Sequence, residues 1–234
     1  MHDARTELTG FHGVFVDRNC LFVSTASTPE KGILLSGYVN CEVIFPFYPI
    51  MKDLVWQLIS PFLGEVEGFL CPSTGDIVLI EYATILANLA GVRTVAAWAD
   101  KQPDNSYRVV RNSFESALRG KNILVLNDRI SQGETTKKVL AEAERLHCHV
   151  LGVATIAGVS HLSAQYFGVP ELNMLTTIDV DSFPDDVIPE RYQGLPIVVD
   201  EALGHGWGYS LDHPDYPGGF IRLLADTPLS KTRK

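Results

Sequence analysis

Between Ile123 and Thr136 the chain passes from apolar residues to two polar ones, Asn127 and Asp128. It then runs through Arg129 and Ile130 into a short loop, Ser131-Gln132-Gly133, and on to Glu134, Thr135 and Thr136. An apolar strand that feeds a small-residue turn and the start of a helix makes an anion site. Unsatisfied backbone N–H groups and the positive end of the helix dipole converge there. Asn127 and Asp128 at the strand tip could bind sugar hydroxyls beside that anion. A ribose carrying a 5-phosphate would satisfy both halves.

Several elements must hold these residues in place. Val14–Val16 and Cys20–Val23 flank Asp17-Arg18-Asn19 and predict a hairpin with a three-residue turn. Ile33–Leu35 ends at Ser36-Gly37, and Tyr38–Ile44 is expected to continue as a strand. Pro49–Leu63 predicts a helix with Met51, Leu54, Val55 and Leu58 on one face. Gly68–Leu70 is a short buried strand leading to Cys71-Pro-Ser-Thr-Gly-Asp76. Ile77–Ala90 is apolar enough for a buried helix that Gly91 ends. Arg93–Trp98 is the next strand, and Ser106–Val110 one arm of a hairpin. After the anion loop, Val139, Leu140, Ala143 and Leu146 form one apolar stripe, and Glu134 and Lys138 stand at i,i+4. His149–Ile156 and Leu172–Ile178 complete the strands. Strands separated by helices of about 10–15 residues imply βαβ units and a parallel sheet, which binds ligands beyond the carboxyl ends of its strands.

At 234 residues with 46% apolar residues, the chain can bury a full core. No apolar run approaches the ~20 residues that cross a bilayer, and the start of the chain lacks the order of a signal peptide. Cys20, Cys41, Cys71 and Cys148 are widely spaced and read as reduced thiols of a cytoplasmic protein. A net charge of −9 argues against a nucleic-acid surface and leaves any polyanion to local donors and a metal ion.

The segment Ile123–Thr136 resembles the phosphoribosyl pyrophosphate (PRPP) motif of the type I phosphoribosyltransferases: an apolar strand, two acids, two apolar residues, then Thr/Ser-Thr/Ser-Gly-x-Thr/Ser. Asn127 replaces the first acid and Arg129 an apolar residue. The resemblance runs over about residues 31 to 200 and is nearest to the orotate phosphoribosyltransferases. Gly32-Ile-Leu-Leu-Ser-Gly37 is similar to that family's early strand. Cys71–Asp76 stands where the pyrophosphate loop falls, and Phe167-Gly-Val-Pro170 and Gly194-Leu-Pro-Ile197 match late segments.

The resemblance implies a single domain over 1–234, with a mostly parallel sheet flanked by helices in a core of about residues 50–180. A small hood would come from 10–48 and 185–225. It implies displacement of pyrophosphate from C1 of PRPP by a nitrogenous base, with catalysis by positioning and charge stabilisation. By the same carry-over Asp128 and Asn127 contact ribose, while Ser131, Gln132, Gly133, Glu134, Thr135 and Thr136 cradle the 5-phosphate. Ser73, Thr74, Gly75 and Asp76 face pyrophosphate, and Lys101 and Arg108, with Arg111 beyond, belong to a loop that covers it. Magnesium is held mainly by PRPP oxygens with Asp128 assisting. The partners are PRPP, a base and a second copy of the chain, with no nucleic acid and no membrane.

The base end departs from the pattern. An Asp-Arg pair that holds orotate is expected after the strand following the PRPP helix, where Gly158 and Val159 stand instead. Orotate turnover is therefore expected to be weak unless Arg129 or Arg191 has taken the role. The alternative to an enzyme is a PRPP- or nucleotide-binding regulatory homologue with weakened catalysis. His147-Cys148-His149 reads as a helix-end cap rather than a metal site. The acids Asp179, Asp181, Asp185 and Asp186 read as a solvated stretch. Gly204–Gly208 and His213–Gly219 suit a lid, a subunit contact or an ordered C-terminal loop, and the loop is the reading preferred.

Overall fold

A computed structural model of the chain describes residues 16–17, 21–23, 32–39, 41–72, 75–195 and 197–198. The chain divides into two compact units, one holding Ile44–Ile178 and the other holding the described residues before 44 and after 178. Expectations for residues 200–234, including the two Gly- and aromatic-rich segments, lie outside the described residues.

The second unit begins with β1 (Val16–Asp17), β2 (Leu21–Val23), β3 (Ile33–Leu35) and β4 (Tyr38–Val39). The expected β1–β2 hairpin is not the pairing formed. β1 lies antiparallel to β4, and β2 antiparallel to β3. The strand expected to run on to Ile44 stops at Val39, and Cys41–Ile44 coils into a 3-10 turn. A later strand of this unit, Ser182–Pro184, pairs with β3, and Ile197–Val198 lies parallel to β2. Leu21, Leu34 and Phe183 form a small core covered by Ile188, Tyr192 and Leu195. Asp181 is ion-paired to Arg191 at 2.6 Å and also accepts from the Tyr192 hydroxyl. Asp179, Asp181, Asp185 and Asp186 are exposed, as their composition suggested.

In the larger unit α1 (Tyr48–Ile59) is followed by β5 (Gly68–Pro72), α2 (Ile77–Leu89), β6 (Val95–Lys101) and β7 (Tyr107–Arg108). Then come α3 (Asn112–Leu118), β8 (Asn122–Ile130), α4 (Glu134–Arg145), β9 (His149–Gly158), α5 (Ala164–Phe167) and β10 (Leu172–Thr177). The sheet order is β10-β9-β8-β5-β6-β7, parallel throughout except for the β6–β7 hairpin. Every side chain of β5 is buried, as a strand covered on both faces requires. Met51, Leu54, Val55 and Leu58 of α1 are fully buried, matching the predicted face. On the opposite layer Val139, Ala143 and Leu146 of α4 join Leu118, Ile123, Val125 and Val153 in one core cluster.

This strand order fixes where a ligand can sit. From β5 the chain crosses through α2 to β6, in one direction along the sheet. From β8 it crosses through α4 to β9, in the other. The loops after neighbouring β5 and β8 therefore diverge, and a crevice opens at their carboxyl ends. The predicted anion loop is one wall of that crevice.

Candidate active site

β8 runs further than the apolar run suggested. Its ladder to β9 continues past Asn127, pairing Arg129 with Ala157 and Ile130 with Gly158. Asn127 therefore lies inside the strand, 3% exposed, and its Nδ2 donates to Thr136 Oγ1 at 2.7 Å. Their side chains lock β8 to the first turn of α4. The amide of Asn127 can make this bond as a donor, which an aspartate could not.

Asp128, the next residue, is half-buried at the carboxyl end of the strand. Its Oδ1 accepts the Arg129 N–H, and its own N–H donates to Asp76 Oδ1 at 2.5 Å. Asp76 is itself buried, just before α2. Its Oδ1 thus ties the loop after β5 to the end of β8. Gly75 forms the turn beside it, and Ser73 and Thr74 lie outside the described residues. Cys71 is fully buried, and its thiol is pushed far up, first by burial and then by the Asp76 and Asp128 carboxylates. It is a neutral packing group and no nucleophile.

The anion loop has the geometry its sequence implied. Gly133 is the residue before α4, with φ of 79°, and no side chain caps the helix there. The N–H groups of Glu134, Thr135 and Thr136 occupy the first turn, where α-helical geometry supplies no partner. Ser131, Gln132, Glu134 and Thr135 are exposed around them. Gly133 is required twice. Its φ is left-handed, and a Cβ would stand 2.8 Å from Phe167 and 2.9 Å from Tyr166.

The cationic hairpin is only partly available. Lys101 ends β6 opposite Tyr107, and Gln102–Ser106 make a tight tip with Asn105 at φ 63°. Among the described residues Lys101 is exposed and takes part in no ion pair. Arg108 reaches Glu142 Oε2 of α4 at 2.8 Å. Arg111 stacks on Trp98, 4.6 Å from the ring centroid, and pairs with Asp100 at 3.2 Å. The Glu142 side chain is fully buried and also accepts from Val109 N at 2.8 Å and from Arg145 Nε at 2.7 Å. Burial raises its pKa, but the bonds from Arg145, Arg108 and Val109 outweigh that and hold it below the ordinary value. Glu142 was legible as an anomaly, an acid beside the apolar stripe of α4. Its partner could not be read locally.

At the base end, Gly158 closes β9 beneath Met174, whose sulfur would lie 2.2 Å from an added Cβ. No larger residue fits there as the side chains stand. Arg191 pairs with Asp181 within its own unit, and Arg129 stands near the carboxyl end of β8. His147 adopts φ 54° at the end of α4, and Cys148 N–H donates to Ala143 O, as expected of a cap. Among the described residues no three metal-ligating side chains converge. In place of the Glu134–Lys138 pair, Lys137 lies over the Tyr166 ring at 3.6 Å.

A twisted parallel sheet with an anion loop and an adjacent carboxylate at its switch point is the type I phosphoribosyltransferase fold. Solved structures agree. An orotate phosphoribosyltransferase from Aeropyrum pernix superposes with a TM-score of 0.54 at 14% identity, covering 74% of this chain and 93% of its own. A phosphoribosyltransferase from Corynebacterium diphtheriae gives 0.53 at 14%, covering 74% and 95%. In sequence, the orotate phosphoribosyltransferase of Caldanaerobacter subterraneus is 27% identical over 162 residues, 69% of this chain and 80% of the relative. That of Desulforamulus reducens is 28% identical over 182 residues, 72% and 90%. No family model matches the chain. Among the described residues no helix is long and apolar enough to cross a membrane.

Proposed function

We propose that this chain transfers the 5-phosphoribosyl group of PRPP to a pyrimidine base, orotate or a close relative, and releases pyrophosphate. The observation that carries this reading is the uncapped start of α4 beside Asp128 at the crevice between β5 and β8. The C1–O bond of PRPP breaks with its electron pair leaving on pyrophosphate, and a ring nitrogen of the base bonds C1 from the opposite face. The N–H groups from Ser131 to Thr135 hold the 5-phosphate, and Asp128 orients the ribose hydroxyls. Gly75 and Asp76, before α2, would face pyrophosphate, and the same role expected for Ser73 and Thr74 falls outside the described residues. Lys101 reaches over it and stabilises the charge that develops on the leaving group. Magnesium fits an all-oxygen donor set, and with no three-ligand cage in the described chain it would be held mainly by PRPP oxygens, with Asp128 assisting. When bound it supplies charge neutralisation at the diphosphate.

In this reading Arg129, near the carboxyl end of β8, recognises the carboxylate of the base. A homodimer is part of the same reading. Ile85 and Leu89 on the outer face of α2, and Tyr48 against Tyr82, leave a stripe of large apolar side chains in solvent, at 58%, 77% and 57% exposure for Ile85, Leu89 and Tyr48. A second copy of α2 would cover it.

One observation favours a second reading, a PRPP-binding regulatory homologue with weakened catalysis. Asn127 is buried in structure and Arg108 is engaged, so the site keeps fewer charges than the motif prescribes. An assay of pyrophosphate release from PRPP and magnesium with a panel of bases separates the two. Turnover with orotate or another pyrimidine is expected. PRPP binding with no turnover on any base would select the regulatory reading.

A further inference from the structure

The loop that would cradle phosphate is not held by its own residues. Tyr166 of α5 donates its hydroxyl to the Gln132 carbonyl at 2.7 Å, across 34 residues of sequence. Its ring meets Phe167 edge-on at 5.0 Å, and the two rings pack against the α-carbon of Gly133. Lys137, one turn into α4, places its ammonium 3.6 Å from the centre of the same ring. Ser163 Oγ accepts the Tyr166 N–H at 3.1 Å, which fixes the start of α5 itself.

The peptide geometry gives this contact a direction. In a trans peptide the C=O of one residue and the N–H of the next point in opposite directions, and the described chain holds no cis bond. Fixing the Gln132 carbonyl on Tyr166 therefore turns the Gly133 N–H away from Tyr166. That N–H belongs to the residue directly before the open first turn of α4. Without the phenol, the Gln132–Gly133 peptide can rotate, because glycine tolerates either sign of φ. The loop would then present a carbonyl oxygen where it now presents a donor. An anion site that loses one N–H and gains a carbonyl is weakened at the moment of binding, with no change in the fold.

We infer that Tyr166 is a positioning residue for the anion loop, holding the Gln132–Gly133 peptide in the orientation that receives a sugar phosphate. It touches no substrate and acts through the backbone. The inference rests on the proposed phosphoribosyl transfer, and its test is arranged so that the two can fail separately. Wild type and Tyr166→Phe are titrated with inorganic phosphate and with PRPP plus magnesium, and their KM values for PRPP and for orotate are compared.

In Tyr166→Phe the loss of a single neutral hydrogen bond is expected to weaken phosphate and PRPP binding about three- to tenfold. The KM for orotate and the melting temperature of the unliganded protein should stay as in wild type. If wild type binds neither phosphate nor PRPP, the proposed function falls. If wild type binds both and Tyr166→Phe binds them equally well, the positioning role falls. It also falls if the variant loses melting temperature and both KM values rise together, because the phenol would then be a structural support and no more.

Discussion

Two segments meet α4, the anion loop at its start and the cationic hairpin along its side, and they are held by opposite means. The loop is fixed without a carboxylate: a phenol on a carbonyl, two aromatic rings against a glycine, a lysine over one of those rings, and the Asn127–Thr136 bond. The hairpin is fixed by charge, through Arg108, Arg145 and the Val109 N–H on buried Glu142. The difference teaches how the fold can serve a polyanion. A loop that receives phosphate through backbone N–H groups gains from a frame with no competing anion. A hairpin that must carry a cation over the crevice can be anchored by a carboxylate, provided that carboxylate is buried and fully paired.

The sharpest way to break the comparison is at Gly133. Gly133→Ala must place a Cβ against Phe167 at a left-handed φ, a cost of order 1–2 kcal/mol before any clash. The loop should move and phosphate affinity should fall by more than about tenfold, measured by calorimetric titration. Unchanged affinity would mean that the loop geometry is not what binds the anion.

Next comes Glu142→Gln, which removes the charge that Arg108 and Arg145 share. A loss on the order of 3 kcal/mol in denaturant unfolding is expected, toward the low end for a buried pair because both arginines can turn to water. Binding of inorganic phosphate to the folded protein should be retained, since the loop does not depend on that charge.

The same carboxylate sets a pH response. Its folded pKa is depressed, so its contribution to stability is present above the ordinary glutamate value of 4.5. That contribution is lost as pH falls through the lowered folded value. Stability of wild type and Glu142→Gln should therefore converge on acidification below about pH 4.5. A gap that stays constant down to pH 2 would show that Glu142 is not ionised in the fold.

A smaller effect is expected from Arg111→Lys. Lysine keeps the ion pair with Asp100 and loses the flat stacking on Trp98, so turnover should change within a few-fold and stability by about 0.5–1 kcal/mol.

The elements with strong periodicity were legible in the sequence. The faces of α1 and α4, the all-buried β5 and the helix stop at Gly91 follow from spacing alone. The end of β8 was not legible, because polar Asn127 looked like a strand tip. It remains in the ladder because Thr136, nine residues on, supplies its partner. The β1–β4 pairing was hidden for a related reason: two short strands pair distant residues, Val16 with Val39 and Asp17 with Tyr38, instead of pairing through the adjacent turn. Within the site, backbone features could be read locally, such as the glycine before α4 and the open first turn. Side-chain roles that depend on distant partners could not. Arg108 looked available until Glu142 was found beside it, and Tyr166 gave no local sign of reaching Gln132. At the base end Gly158 is packed under Met174, and Gly158 and Val159 stand where the acid–arginine pair was expected.

The central claim is that Asp128 and the start of α4 together bind PRPP. Calorimetric titration of PRPP with magnesium into wild type and Asp128→Asn tests it most directly. One site per chain is expected in wild type. In Asp128→Asn the affinity should fall about ten- to a hundredfold, as loss of a charge-assisted contact implies, while inorganic phosphate binds both proteins alike. Equal PRPP affinity in the two proteins, or no PRPP binding to wild type, would contradict the account.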